Sequence, residues 1–415
     1  MQKLSRNKDI LYEGSEVLWQ TEDLALAYKD RLFDYREKTI GINEPIEQGW
    51  DEVKSNYKRK KLVRKDKTKD KAFEDNVWKM FYNAGFEILS SKPFKLKTKR
   101  IKISKKALID NPELKKTHTE IDVLVKDGNN VFVIECKSKE TYGKSAQIDS
   151  AINKITTKKK RVITAIRELF YDVDDKKLDI HFIIATEDIK WSSSQEAEAK
   201  ENNLIKLMYE DTLYIEEVIA IAGKGTKYTL LNRLLYDKEM KNEYTITALE
   251  GKMGGQKYWM FGAQPEELLK YATVNYRTKE SSFSNLKDSY QRRLIPAKVK
   301  KINEYILKEN GFFPNSVIIN FSREPKKIER IGNRAKYEEQ GVNAALMPVR
   351  LTFPKYYGSA WVIDGQHRLY GYADTEKKYT ETLPVVAIRM EDPIAQSKIF
   401  VDINENQKAI PPELK

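Results

Sequence analysis

The sequence predicts a mixed α/β (α+β) chain with two folded domains behind a charged N-terminal region. Three observations carry this expectation. Residues 120–185 show a strand–turn–strand pattern, then a long amphipathic helix pattern, then another apolar strand. Ala360–Tyr372 reads as strand, turn and helix. Between them, Leu249-Glu-Gly-Lys-Met-Gly-Gly-Gln256 places three glycines close together, which marks a boundary or hinge. The expected divisions are therefore 1–66, 67–248 and 256–415. With 415 residues the chain can bury a core in each domain, and 40% hydrophobic residues with 23 Tyr and 15 Phe exclude a disordered chain.

In chain order, Asp23 to about Asp66 is rich in charge and is expected to be helical. Its run Asn56-Tyr-Lys-Arg-Lys-Lys-Leu-Val-Arg-Lys-Asp-Lys67 is either a strip that lies along a phosphate backbone or a solvated helix face. Lys71-Ala-Phe-Glu-Asp-Asn-Val-Trp-Lys-Met-Phe-Tyr-Asn-Ala-Gly85 has the apolar spacing of an amphipathic helix, with Gly85 ending it. A strand from Glu87 follows. After the hairpin discussed next, a helix pattern spans Lys144–Tyr171, and Leu178–Ala185 is a strand in which His181 is expected to pack in the core. A later helix and strand include Leu204–Tyr209, and Tyr214–Ala222 is a helix. The second domain opens with Tyr258–Ala263, a helix from Pro265 and another after Pro296. Phe313–Phe321 contains a strand entered by a turn.

The hairpin is Glu120-Ile-Asp-Val-Leu-Val-Lys-Asp-Gly-Asn-Asn-Val-Phe-Val-Ile-Glu-Cys-Lys137, turning at Asp127-Gly128-Asn129-Asn130. It carries acids where a half-buried strand would carry neutral residues. If Asp127 pairs with Asn130, Asp122 falls opposite Glu135 and Glu120 opposite Lys137. If Asp127-Gly128 are the central turn residues, Asp122 and Glu135 are diagonal neighbours on one face. A three-residue loop would separate them to opposite faces. Two carboxylates at ~5 Å repel by about 3 kcal/mol at an effective dielectric of 20. Lys137 supplies one compensating charge, and a divalent metal would supply the rest. Cys136 alternates to the other face and is expected in the core.

This stretch resembles the PD-(D/E)xK nuclease superfamily, in the subgroup whose core reads E-I-D-V…E-C-K. The resemblance implies a restriction-endonuclease-like mixed sheet flanked by helices. It makes Asp122 and Glu135 the metal-binding acids and Lys137 the lysine that polarises the attacking water or the scissile phosphate. Glu74 matches the upstream helical acid of the family, and Gln147, in Lys144–Lys154, the polar residue after the core. Mg²⁺, or Mn²⁺ in its place, is the implied cofactor, since hard oxygen ligands and retained waters suit it. The bland alternative is a solvated sheet face with no ligand. Glu120 reads as a salt-bridge partner of Lys137 rather than as a metal ligand.

In Ala360-Trp-Val-Ile-Asp-Gly-Gln-His-Arg-Leu-Tyr-Gly-Tyr372, Asp364 is expected to cap the helix, Gly365 to allow close approach of the backbone, and Arg368 to offer a fork to phosphate. The wording resembles the DGQHR-domain family, and Phe400-Val-Asp-Ile-Asn-Glu-Asn-Gln-Lys408 resembles its I-N-x-x-Q-K element. Gln291–Leu294 and Phe313–Val317 agree with it. The resemblance implies a ParB/sulfiredoxin-like α+β domain of bacterial DNA-modification and defence systems, DNA phosphorothioation included. It further implies that Gln366, His367 and Arg368 contact phosphate of DNA or of a nucleoside triphosphate, with Asn404, Asn406, Gln407 and Lys408 lining the same pocket. The alternative is an Asp–Arg or His–backbone network that only stabilises the turn. The chain ends at Lys415 just after the second element, so a truncated domain is expected.

A formal charge of +13 suits a polyanionic partner. One cysteine cannot form an intramolecular disulfide, and no secretory or membrane-spanning stretch is visible, so a cytoplasmic location without a membrane partner is expected. The whole points to a Mg²⁺-dependent DNA endonuclease controlled by its DGQHR domain, acting as a homo-oligomer with other modification or defence proteins. Its rivals are a non-catalytic DNA-binding regulator and a nucleotide-binding switch.

Overall fold

The computed structural model describes residues 17–18, 21–57, 59–90, 95–97, 118–170, 178–236, 238–239, 244–273, 294–333, 339, 346–353 and 356–390. The chain divides into two units, Met1–Leu213 and Tyr214–Lys415.

The first unit begins with β1 (Val17–Leu18) and α1 (Thr21–Lys29), followed by β2 (Tyr35–Gly41), β3 (Asp51–Tyr57) and β4 (Lys60–Asp66). These last three form a separate antiparallel sheet in the order β2-β4-β3. The helical expectation for residues 23–66 therefore holds only for α1, and most of the basic run is strand β4. Cross-strand chemistry explains the outcome. Arg64 lies opposite Glu37, pairs with it at 2.8 Å, and stacks over Tyr35 at 3.7 Å.

Next come α2 (Lys69–Asn83), β5 (Ile88–Ser90), β6 (Lys95–Lys97), β7 (His118–Glu120), β8 (Val123–Asp127) and β9 (Asn130–Lys144). Helix α3 (Gln147–Leu169), β10 (Asp179–Lys190), α4 (Ser193–Glu201), β11 (Leu204–Met208) and α5 (Tyr209–Ala222) follow. The main sheet runs β1-β5-β8-β9-β10-β11, and β6 pairs with β7 in a small sheet of its own. Pairing is antiparallel through β9 and parallel from β9 to β10 to β11. Helix α2 starts at Thr68, whose hydroxyl accepts from Lys71 N at 3.4 Å. It stops where Gly85 adopts φ +101°. Along β9 the side chains alternate. Phe132 meets Phe81 of α2 and Phe86, while Val131 and Val133 join Ile148, Ile152 and Ile155 of α3. Cys136 is buried, as expected of a small apolar residue. His181 is half-buried, bonded to Asn130 Oδ1 at 3.0 Å and tilted against Phe132.

The second unit contains the later part of α5, then α6 (Thr226–Leu234), β12 (Tyr244–Met253), β13 (Gln256–Ala263), α7 (Pro265–Tyr271) and β14 (Ala272–Thr273). It continues with α8 (Pro296–Lys308), β15 (Val317–Phe321), β16 (Lys327–Arg330), β17 (Met347–Phe353), β18 (Ala360–Asp364), α9 (Gln366–Tyr372) and β19 (Leu383–Ile388). Its sheet runs β14-β18-β15-β19-β13-β12-β17-β16. The glycine-rich step expected to mark a domain boundary is the β12–β13 hairpin turn within this sheet. Met253 pairs with Gln256, and Gly254 and Gly255 take φ +57° and +83°. The two units divide at Leu213/Tyr214, within α5, where no glycine or proline stands. Trp259, Leu269, Val317, Leu351, Val362 and Leu369 build the core of this unit.

Candidate functional site

The hairpin adopts the first of the registers that the sequence allows. Asp127 pairs with Asn130 and Val123 with Ile134, so continuing the ladder one step sets Asp122 against Glu135. Ladder pairing itself stops at Val123, and the Asp122 side chain uses the opening. Its Oδ2 accepts from the Cys136 backbone N–H at 2.7 Å. Glu135 is 6% exposed, in the region of the sheet that α3 covers.

Three carboxylates share this neighbourhood. The Asp122 carboxyl is pushed up to about 7 by burial first, then by the charges of Glu135 and Glu74, against the opposing pull of Lys137 and the Cys136 amide. Burial would lower the Lys137 ammonium, but Glu135 and Asp122 hold it above its usual value. Burial and then the charges of Asp122, Glu74 and Glu135 raise the Cys136 thiol well above its ordinary range.

Sequence-predicted residues therefore meet, with differences of detail. Lys137 Nζ pairs with Glu135 Oε1 at 2.7 Å and also donates to the Cys136 carbonyl. Its ion pair is thus with Glu135 rather than with Glu120, because β7 turns away to pair with β6, with Glu120 opposite Lys95. Glu74, in the first turns of α2, forms an ion pair with Lys71. One turn earlier, Asp70 Oδ1 accepts from the Ser138 hydroxyl at 2.6 Å and from its amide at 3.2 Å, which ties α2 to β9 beside the site. Gln147 opens α3 at an exposed position. Two turns further along the same helix face stands Lys154, which sequence reasoning missed, and its Nζ reaches Glu135 Oε2 at 2.6 Å. The seven-residue spacing from Gln147 was the available signal.

Hard carboxylate oxygens from Asp122 and Glu135 fit Mg²⁺, which binds through one or two carboxylates and keeps its waters. Among the described residues, no three His, Cys, Asp or Glu side chains stand close enough together to share one ion. Both oxygens of Glu135 are held by lysines instead.

In the second unit, β18 passes into α9 through Gly365 at φ +89°. Gly365 takes the capping position expected of Asp364, and Asp364 Oδ2 instead accepts from Arg368 Nη2 at 3.2 Å. Arg368 also donates to the carbonyls of Asn315 and Ser316, the latter at 3.0 Å. Burial lowers its guanidinium from the usual value, and Asp364 offsets some of that shift. Gln366 is buried, and His367 Nε2 accepts from the Ile295 amide at 3.0 Å. Asn404, Asn406, Gln407 and Lys408 lie outside the described residues. Among the described residues, no helix is long and apolar enough to cross a membrane.

Residues 246–415 match a family model described as "DndB: DNA-sulfur modification-associated". No curated protein and no solved structure matches the chain.

Proposed function

We propose that this chain is a DNA-processing component of a DNA sulfur-modification system, and that its first unit hydrolyses phosphodiester bonds with Mg²⁺ or Mn²⁺. The observation that carries the hydrolytic reading is the gathering of Glu74, Asp122, Glu135 and Lys137 at the end of a buried hairpin. Nothing in the packing of a sheet requires three acids there, and their mutual repulsion is costly. The order of α2, β5, β8, β9, α3 and β10 also follows the helix, strand, hairpin, helix and strand that the sequence predicts around the acids. The match of residues 246–415 to a DNA-sulfur modification-associated family supports DNA as the partner.

Asp122 and Glu135 would hold the metal through carboxylate oxygens. When bound, it supplies an acidified water and neutralises a phosphoryl oxygen. Lys137 presents its ammonium to the charge that develops on the phosphoryl group. Asp122 is fixed by the Cys136 amide, so one of its oxygens stays aimed while the other is available. Glu74 adds negative potential beside them. The second unit would engage DNA and govern cleavage.

One observation favours a second reading. Glu135 is neutralised by two lysines, an arrangement that also suits a binding module without catalysis. At the β18–α9 turn, the contacts of Arg368 and His367 likewise favour a structural network over a phosphate or nucleotide cradle. A plasmid assay separates the cases. Purified protein with sulfur-modified or unmodified plasmid should nick only with Mg²⁺ or Mn²⁺. Asp122→Ala and Lys137→Ala should each abolish nicking while DNA affinity persists. Cleavage by the double variant would refute the catalytic reading. Metal-independent DNA binding, without cleavage or Mn²⁺ uptake, would establish the binding module.

A further inference from the structure

Lys154 and a small cavity behind Glu135 have no role in the hydrolytic reading above, and together they carry one more step, which rests on that reading. Glu135 is buried, and a buried carboxylate requires a counter-charge. Lys137 covers Oε1, but it is fixed two residues away on the same strand. Lys154 covers Oε2 from a different element, α3, whose neighbouring Ala151 and Ile155 anchor the helix in the core against Val133. Its Nζ therefore stands on an oxygen that a divalent ion would have to take.

The cavity shows where that ammonium can go. Thr119, Glu120, Glu135, Lys154, Lys158 and Val162 are among the residues lining it. Thr119 is only 5% exposed, and its Oγ1 is buried with no hydrogen-bond partner. A buried hydroxyl left unsatisfied costs about 1–3 kcal/mol, so an arriving donor would be welcome. The cavity thus offers Lys154 a neutral acceptor beside Glu135.

We infer that Lys154 is a surrogate cation. It holds Glu135 in place while the centre is free of metal, and it transfers to Thr119 when a divalent ion takes Oε2. It is a positioning residue that sets the metal concentration at which the centre loads, without touching substrate.

Mn²⁺ binding to the full chain, followed by the electron paramagnetic resonance of free Mn²⁺, tests this at low ionic strength. Lys154→Met should bind Mn²⁺ about tenfold more tightly than the unsubstituted chain or more, since a competing cation is gone. Lys154→Arg should bind no more tightly than the unsubstituted chain. Thr119→Val should weaken binding in the unsubstituted chain and leave it unchanged in the Lys154→Met background, a coupling that a merely structural lysine would not show. Equal or weaker binding by Lys154→Met, with binding abolished by Glu135→Gln, overturns the surrogate role and leaves the metal centre standing. If neither the unsubstituted chain nor Lys154→Met takes up Mn²⁺, the metal centre itself is refuted, and the surrogate with it.

Discussion

Asp122→Asn should stabilise the metal-free protein at high pH and lose that advantage as pH falls. The isosteric amide keeps an oxygen for the Cys136 N–H and removes only the charge. In the folded chain the carboxyl is raised from the ordinary 3.8 to about 7, by burial and then by Glu135 and Glu74. Between those values the folded state holds a proton that the unfolded state has lost. Stability therefore falls as pH rises through that window. A difference of about three pH units corresponds to at most about 4 kcal/mol of destabilisation above pH 7. At pH 5.5 the same linkage leaves about 2 kcal/mol, and at pH 4 less than about 1 kcal/mol. Urea unfolding of the full chain in EDTA, at pH 8 and 5.5, reads the difference between variant and unsubstituted protein. The advantage of Asp122→Asn should shrink by about 2 kcal/mol between the two conditions. Mg²⁺ should reverse the order at pH 8, since only the carboxylate gains from the ion. A pH-independent difference, or a variant less stable at pH 8 in EDTA, would show that Asp122 is not held in a buried acidic cluster.

Asp75→Ala should destabilise the first unit by about 3–5 kcal/mol, measured by urea unfolding, because Arg31 at 3.6 Å and Lys67 at 2.8 Å would be left buried without their carboxylate. Gly365→Ala should cost about 1–3 kcal/mol in thermal unfolding: φ is +89°, and a Cβ would stand 3.2 Å from Val317 Cα and 2.9 Å from Arg368 Nη2. The Cys136 thiol is buried and raised well above its ordinary range, so iodoacetamide at pH 8 should leave it unmodified in the native chain and label it in urea.

Local pattern carried much of the fold. The 3.6-residue spacing and Gly85 specified α2, and the Asp127–Asn130 turn limited the hairpin to a few registers, of which the structure adopts the one that sets Asp122 against Glu135. The strand–turn–helix at Ala360–Tyr372 was legible for the same reason, since Gly365 is the residue that accepts a positive φ at the turn. The N-terminal sheet was not legible. Tyr35-Arg-Glu-Lys-Thr-Ile-Gly41 has no clean apolar alternation, and its strands are held by Arg64 contacts with Glu37 and Tyr35, which lie 27 and 29 residues away. The division within α5 has no glycine or proline to announce it, whereas the glycines of 251–255 serve a hairpin.

The sequence by itself determined which acids and which lysine belong to the hairpin, because strand patterns and turn residues are short-range signals, and the structure chose among the registers it left open. Only the tertiary structure decided what neutralises them. Lys154 comes to Glu135 from a helix 19 positions later, and Thr119 faces the same cavity from a strand that pairs elsewhere. Burial makes these long-range partners count, since a carboxylate removed from water is governed by whatever charge packing brings within a few ångströms.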